Sequence, residues 1–141
     1  ELRLFVIFFS IFLVLSITFL FKVNAQTWAT AGPNDFNQLS VSNASYTSLV
    51  FDSSGTPYVA FADRNKDDKV TVKKYDGNSW QIVGIDGFSV ADVHYVSLAI
   101  SSNGTLFVAY LDTGINYDSK VYVKTFDGTS WQTVGAAGGI A

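Results

Sequence analysis

The sequence predicts an all-β protein that contains two complete four-stranded antiparallel units. The stretch VTVKKYDGNSWQIVG at residues 70–84 recurs as VYVKTFDGTSWQTVG at residues 121–135, so the chain contains an internal repeat. Each copy joins an alternating run to a Trp-led run through an Asp-Gly turn, which is the sequence pattern of a β-hairpin. The chain is 48% hydrophobic and 16% aromatic, which is typical of a folded globular protein.

An uncharged apolar run covers residues 4–21, and small residues at Val23 and Ala25 follow it. This pattern predicts an N-terminal hydrophobic signal helix over residues 1–25, with cleavage near Ala25. The alternative is an uncleaved membrane anchor, because the run just reaches the roughly 18 apolar residues that can span a bilayer. In either case we expect the rest of the chain to be secreted or at the cell surface, in a periplasmic or extracellular location.

Residues 26–45 are interpreted as the last strand of a preceding unit, marked by Trp28, followed by a polar linker. The chain begins at Glu1 and contains no Met. One strand followed by two complete units is also too few for a closed ring of about 4 to 8 units. We therefore expect a fragment of a longer protein, with closure by assembly of several chains as the alternative.

The first complete unit, together with its connecting loop, covers residues 46–94. Its strands are short runs rich in β-formers, and turn residues or charged residues separate them. The predicted strands are residues 46–52, 57–62, 69–75 and 80–83.

The second unit and the start of the next connection cover residues 95–141. The order of strands and turns is the same, but the loop that begins at Asp112 is two residues longer than the loop that begins at Asp63. Because loops at the surface tolerate insertions, we expect both loops to be exposed.

A period of about 50 residues with four short strands matches one blade of a β-propeller. The second strands, PYVAFA and LFVAYL, are apolar on both faces, as expected for a sheet that lies between two neighbours. The sequence thus predicts an incomplete propeller with two complete blades plus one N-terminal strand. A β-solenoid is the competing interpretation and is less favoured, because solenoid coils are shorter and do not need Asp-Gly hairpins.

The hairpins carry a resemblance to known repeats. Tyr75-Asp76 followed by Trp80, and Phe126-Asp127 followed by Trp131, resemble the kelch-type blade, and the turns DGNSW and DGTSW resemble the Asp-box of sialidase-like propellers. The chain is thus similar to exported bacterial repeat proteins of the kelch-like or Asp-box-like kind. Ala62-Asp63 and Leu111-Asp112 stand where the kelch family has paired glycines.

Residues that recur in each unit are interpreted as structural. A Trp needed at a fixed place in the repeat is expected to pack between units, in preference to stacking on a sugar ring. These structural repeat residues are Trp28, Trp80, Trp131, Asp76, Gly77, Asp127 and Gly128.

Ligand-binding candidates lie in the loops between the second and third strands and in the connection between units. In propellers these loops share one face, so together they would form a binding face. No catalytic constellation is evident, and His94 has no Cys, Glu or repeated Ser partner. The candidates are Asp63, Arg64, Asn65, Asp86, Asp92, His94, Asp112, Asn116, Tyr117 and Asp118.

Alternating oxygen-bearing residues at Asp63, Asn65 and Asp67 resemble the opening of a Ca²⁺ loop. The Gly and the closing Glu of such a loop are missing, so a solvated loop is preferred and no metal or cofactor is expected. The net charge of −3 and the scattered lysines argue against nucleic acid as a partner. Any contact with a membrane would come through the N-terminal segment.

These features favour an exported module that acts in binding or scaffolding, with a carbohydrate or protein ligand and with further blades of a longer chain as partners. The alternative is part of a sialidase-like glycoside hydrolase whose catalytic residues lie in other blades. A structural spacer before another domain is a third interpretation. Arg64 is the only Arg after residue 25, whereas a sialidase-like site often needs several.

Overall fold

The computed structural model describes residues 44–114 and 119–135. The predicted signal segment, the Trp28 strand and the loop residues Asn116, Tyr117 and Asp118 lie outside the described residues. Within them the fold is all-β, as predicted. Its elements are β1 (Ala44–Phe51), β2 (Pro57–Asp63), a 3-10 turn (Arg64–Lys66), β3 (Lys69–Tyr75), β4 (Trp80–Ile82), β5 (Val93–Ile100), β6 (Leu106–Asp112), β7 (Lys120–Phe126) and β8 (Trp131–Thr133).

The strands form two four-stranded antiparallel sheets, which confirms the predicted four-stranded units. Sheet A has the order β1-β2-β3-β4, and sheet B has the order β5-β6-β7-β8. Equivalent residues pair in the two sheets. Ala60 faces Val72 in sheet A, and Ala109 faces Val123 in sheet B. The two copies therefore have the same register, whereas the propeller arrangement stays a prediction.

The Asp-Gly hairpins are held by the aspartate side chain. Asp76 Oδ1 accepts hydrogen bonds from the backbone N–H groups of Asn78 at 2.9 Å and Ser79 at 2.8 Å. Asp127 accepts the equivalent pair of bonds in sheet B. The glycine after each aspartate has a φ near +100°, a conformation that glycine adopts without strain. The same four-residue turn therefore closes both hairpins.

These backbone hydrogen bonds lower the pKa of Asp76 and Asp127 below the ordinary value of 3.8. A carboxyl whose pKa is lower in the folded state stabilises the fold above its unfolded pKa, and this contribution disappears as the pH falls through the folded pKa. We expect the free energy of unfolding to decrease as the pH falls below about 4. Urea unfolding at a series of pH values between about 2 and 6 measures it.

The double variant Asp76→Asn and Asp127→Asn is the matched control for this acid sensitivity. Asparagine keeps an oxygen acceptor at the same position but does not titrate, so its stability should depend less on pH in this range. If the free energy of unfolding depends equally on pH in the wild type and in the double variant, Asp76 and Asp127 are not the source of the acid sensitivity.

The two sheets pack face to face through one surface of each. Leu98 N–H of β5 donates to Ser48 Oγ of β1 at 3.0 Å, which fixes β5 alongside β1. We call the packed surfaces the inner faces and the opposite surfaces the outer faces. The inner face of sheet A carries Ala60, Ala62, Val70, Val72 and Val83, and that of sheet B carries Leu98, Leu106, Val108, Tyr110 and Trp131, all buried.

Trp131 closes one side of this core. Its ring stacks on Phe88 with the ring centroids 4.8 Å apart, and its Nε1–H donates to the Val83 carbonyl oxygen at 2.9 Å. The carbonyl belongs to the segment that follows β4, so a side chain of sheet B is bonded to the backbone of the sheet A unit. The repeated Trp therefore lies between the two units at this position.

Candidate ligand-binding face

One end of both sheets carries the loops that the sequence singled out. Ala44 at the start of β1 pairs with Asp63 at the end of β2, and Val93 pairs with Asp112 in the same way. The starts of β1 and β5 therefore lie beside the loops that follow β2 and β6. We call this the loop-bearing end, and the connection between β4 and β5 also reaches it.

Backbone hydrogen bonds fix the connection at this end. Phe88 N–H donates to the Val70 carbonyl at 3.0 Å, and Val93 N–H donates to the Asp68 carbonyl at 2.9 Å. Thr113 N–H in turn donates to the Asp92 carbonyl at 3.1 Å. The connection is thus held between the loops of the two units, which brings Asp92 and His94 next to both of them.

Asp63 and Asp112 occupy equivalent positions at the ends of β2 and β6, and both are buried. Asp63 accepts from Asn65 N–H at 3.0 Å and from Thr71 Oγ1–H at 3.3 Å. Asp112 accepts from Val90 and Ala91 N–H of the connection and from Gly114 N–H. Burial of a carboxylate requires such partners, so both side chains hold the loops in place.

The loop after β2 forms two ion pairs. Lys66 Nζ lies 2.9 Å from Asp86 Oδ2, and Arg64 Nε lies 3.7 Å from Asp68 Oδ1. The hydrogen bond and charge of Asp86 raise the pKa of the Lys66 ammonium. Exposed pairs of this kind add little to stability. The Arg64 side chain stays 67% exposed despite its pair with Asp68.

A β-bulge begins both first strands and was not visible in the sequence. Ser45 pairs with Ala62 and Ser48 with Ala60, so two residues of β1 stand opposite one residue of β2. Tyr46 lies in the bulge with φ +52°, and Tyr95 lies in the equivalent bulge of β5 with φ +54°. Positive φ is uncommon for an aromatic residue and costs about 1 to 3 kcal/mol.

The bulges bring three rings together, which we call the aromatic cluster: Tyr46, His94 and Tyr95. The Tyr46 ring centroid lies 5.0 Å from that of His94 and 5.6 Å from that of Tyr95. Tyr95 is 71% exposed and Tyr46 is 41% exposed. Large rings normally bury most of their surface, so an exposed group of rings on strained backbone is a candidate contact surface.

The sequence-predicted residues thus separate into groups. His94 belongs to the aromatic cluster and Asp92 lies two residues before it, whereas Arg64, Asn65 and Asp86 lie on the adjoining loop and connection. Sequence reasoning selected His94 but missed both tyrosines. Their only signal was that a Tyr recurs 49 residues later at the same place in the repeat. Within residues 44–114 and 119–135, no group of three or more His, Asp or Glu side chains could hold a metal ion.

An open pocket with a volume of about 440 Å³ lies at the opposite end of sheet A. The β1–β2 and β3–β4 turns line it, together with Tyr58, Lys74 and Tyr75. Its one carboxylate, that of Asp76, already accepts hydrogen bonds from Ser79 and Gln81 in addition to those of the turn backbone. The loop-bearing end therefore remains the stronger candidate. No helix in the described part of the chain is long and apolar enough to cross a membrane.

No family model and no curated protein matches the chain. Among solved structures, a fucose lectin from Kordia zhangzhouensis, determined in complex with methyl-fucoside, is similar to it. The two sequences are 18% identical with a TM-score of 0.48, over 71% of this chain and 69% of the lectin chain. A likeness this distant supports neither a family nor a ligand.

Proposed function

We propose that this chain is an exported carbohydrate-binding module, built from propeller-type blades of the kelch-like or Asp-box-like kind, that binds its ligand at the loop-bearing end. The observation that carries the proposal is the aromatic cluster. Its three rings come from two different sheets and meet at the surface, 5.0 to 6.0 Å apart.

A sugar ring has an apolar face that suits contact with an aromatic ring, and hydroxyl groups that need hydrogen-bond partners at its rim. The cluster supplies Tyr46 and Tyr95 for the first requirement. Asp92 and Arg64 are exposed on neighbouring segments and supply an acceptor and donors for the second. Apolar and aromatic area with a few placed polar groups is the usual composition of a small-molecule binding site.

Export is part of the same proposal and rests on the apolar run at residues 4–21 with small residues before Gln26. Expression of the whole chain in a secreting bacterial host tests it. We expect a secreted or periplasmic product whose N-terminal sequence begins at or near Gln26. A product retained in the cytoplasm with Glu1 intact would contradict export.

Replacement of Tyr95 by Ala should reduce carbohydrate affinity by about tenfold or more, and Tyr46→Ala should have a similar effect. Loss of one aromatic contact of about 1.5 kcal/mol corresponds to a factor of about ten. A glycan array identifies the ligand of the wild-type chain, and isothermal titration calorimetry with that glycan measures the variants.

Val90→Ala is the matched control for the tyrosine variants. Val90 is 66% exposed on the connection but carries no ring. Its variant should bind as the wild type does. Absence of glycan binding by the wild-type chain, or equal affinity of the two tyrosine variants and the wild type, would overturn the proposed function.

A further inference from the structure

The outer face of sheet A contains a buried aromatic residue that the packing of the two sheets does not explain. Phe61 of β2 is 0% exposed, and Val59 on the same face of that strand is 9% exposed. Both lie opposite to Ala60 and Ala62, because successive side chains of a strand point to alternate faces. The core between the sheets contains Ala60 and Ala62 but not Phe61. Phe61 is therefore covered by something other than sheet B.

The second unit shows what covers the residue equivalent to Phe61, which is Tyr110 at 49 residues later in the repeat. The Phe88 ring, from the connection between β4 and β5, lies edge-on to Tyr110 with the centroids 6.4 Å apart, and it stacks on Trp131 at 4.8 Å. Trp131 Nε1–H donates to the carbonyl of Val83 in the same segment. The segment that includes and follows the last strand of one unit thus covers two rings of the next unit.

The same segment occurs once more, before the first complete unit. The sequence TWATAGPNDF at residues 27–36 aligns without a gap with SWQIVGIDGF at residues 79–88. Phe36 and Phe88 each come eight residues after the Trp of their own segment. The chain therefore contains a second copy of the covering segment, and the copy directly precedes the unit that contains Phe61.

We infer that residues 27–36 dock on the outer face of sheet A. The Phe36 ring covers Phe61 and stacks on Trp80, as the equivalent ring does in sheet B. The Ala31 carbonyl, at the repeat position of the acceptor in sheet B, accepts the hydrogen bond from Trp80 Nε1–H. Sheet A thus has a neighbour on both faces, and the same contact between units occurs twice in the chain.

The linker between this segment and sheet A is long enough for the docking. Residues 37–43 connect Phe36 to the start of β1, whereas residues 89–92 connect Phe88 to the start of β5. Because an extended residue spans about 3.3 Å, the longer linker reaches at least as far as the shorter one. The additional residues form a longer loop at the surface, where insertions are tolerated.

Hydrogen exchange at the tryptophan indoles tests this docking. The full chain, labelled with isotope-enriched tryptophan and purified in mild detergent, is measured by NMR, and each indole signal is assigned from its Trp→Phe variant. We expect Phe36→Ala to accelerate exchange of Trp80 Nε1–H by about tenfold or more, because the ring that covers it is lost. Exchange of Trp131 Nε1–H should not change, which shows that the rest of the fold is intact.

Phe88→Ala is the matched control, and it should accelerate exchange at Trp131 but not at Trp80. A Trp80 indole that exchanges freely in the wild type would overturn the inference. The same holds if Phe36→Ala leaves the exchange of Trp80 unchanged.

A double-mutant cycle tests the contact between Phe36 and Phe61 itself. Urea unfolding of the full chain is measured for Phe36→Ala, Phe61→Leu and the double variant. The unfolding equilibrium constant of the double variant should differ by about tenfold from the product of the two single effects, since residues in contact are not additive. Phe36→Ala combined with Tyr110→Leu should be additive, because Tyr110 already contacts Phe88. Additive effects for the Phe36 and Phe61 pair would show that another part of the chain covers Phe61, and the inference would be wrong.

Discussion

Replacement of Trp131 by Ala is expected to lower the free energy of unfolding by about 3 to 5 kcal/mol, the range for large aromatic side chains removed from a core. The ring is 7% exposed and contacts Phe88 and Phe126. Its loss also leaves the Val83 carbonyl without the hydrogen bond from Nε1. Urea unfolding followed by far-ultraviolet circular dichroism measures the change.

Trp80→Ala is the matched control, because Trp80 occupies the same repeat position in sheet A but is only partly buried. We expect a smaller loss there. Trp131→Phe separates the two contributions of Trp131, since it keeps an aromatic ring but removes the N–H donor. It should cost about 1 to 3 kcal/mol, mainly for the unsatisfied carbonyl. Equal losses for Trp131→Ala and Trp80→Ala would contradict a special role for the inter-sheet position.

The strands were predictable because the repeat aligns two independent examples of each one. β3 and β7 have the bounds that alternation and the Asp-Gly turns predict. β1 and β5 begin two residues earlier than predicted, at Ala44 and Val93. The bulges explain the difference, since an extra residue interrupts the alternation while the pairing continues beyond it.

The site was less predictable because side-chain roles depend on burial and backbone conformation. Asp63 and Asp112 looked like loop carboxylates, but they terminate buried strands and accept hydrogen bonds from their own chain. Tyr46 and Tyr95 looked like ordinary strand residues. Their exposure follows from a positive φ and a change of register, and neither property is encoded in a local composition pattern.

Burial of equivalent residues in the two sheets was also not predictable from the sequence. The sequence shows that Val70 and Val121 are equivalent, and that the strands carrying them belong to the same part of the repeat. It does not show that one is buried and the other 41% exposed. That difference arises because Val70 lies on the inner face of sheet A, in contact with sheet B, whereas Val121 lies on the outer face of sheet B, away from that interface.

Gly84→Ala is expected to destabilise the fold by about 2 to 5 kcal/mol. A residue with a side chain at φ +77° costs about 1 to 2 kcal/mol, and overpacking against a filled core adds about 1 to 3. The added Cβ would lie 3.0 Å from Phe126 Cε2 and 3.2 Å from Trp131 Cδ1. Both rings pack against the buried core, so we expect their displacement to cost free energy. Urea unfolding measures the loss.

Gly135→Ala isolates the contribution of packing, because Gly135 has a similar φ of +88° but open space around the added Cβ. It should cost only the backbone strain of about 1 to 2 kcal/mol, leaving a difference of at least about 1 kcal/mol that reports the contact with the two rings. The backbone conformation is nearly the same at the two glycines. Equal losses of unfolding free energy for Gly84→Ala and Gly135→Ala would therefore mean that the Trp131 and Phe126 rings move aside without a measurable cost. The interface between the sheets would then be more deformable than its close packing implies.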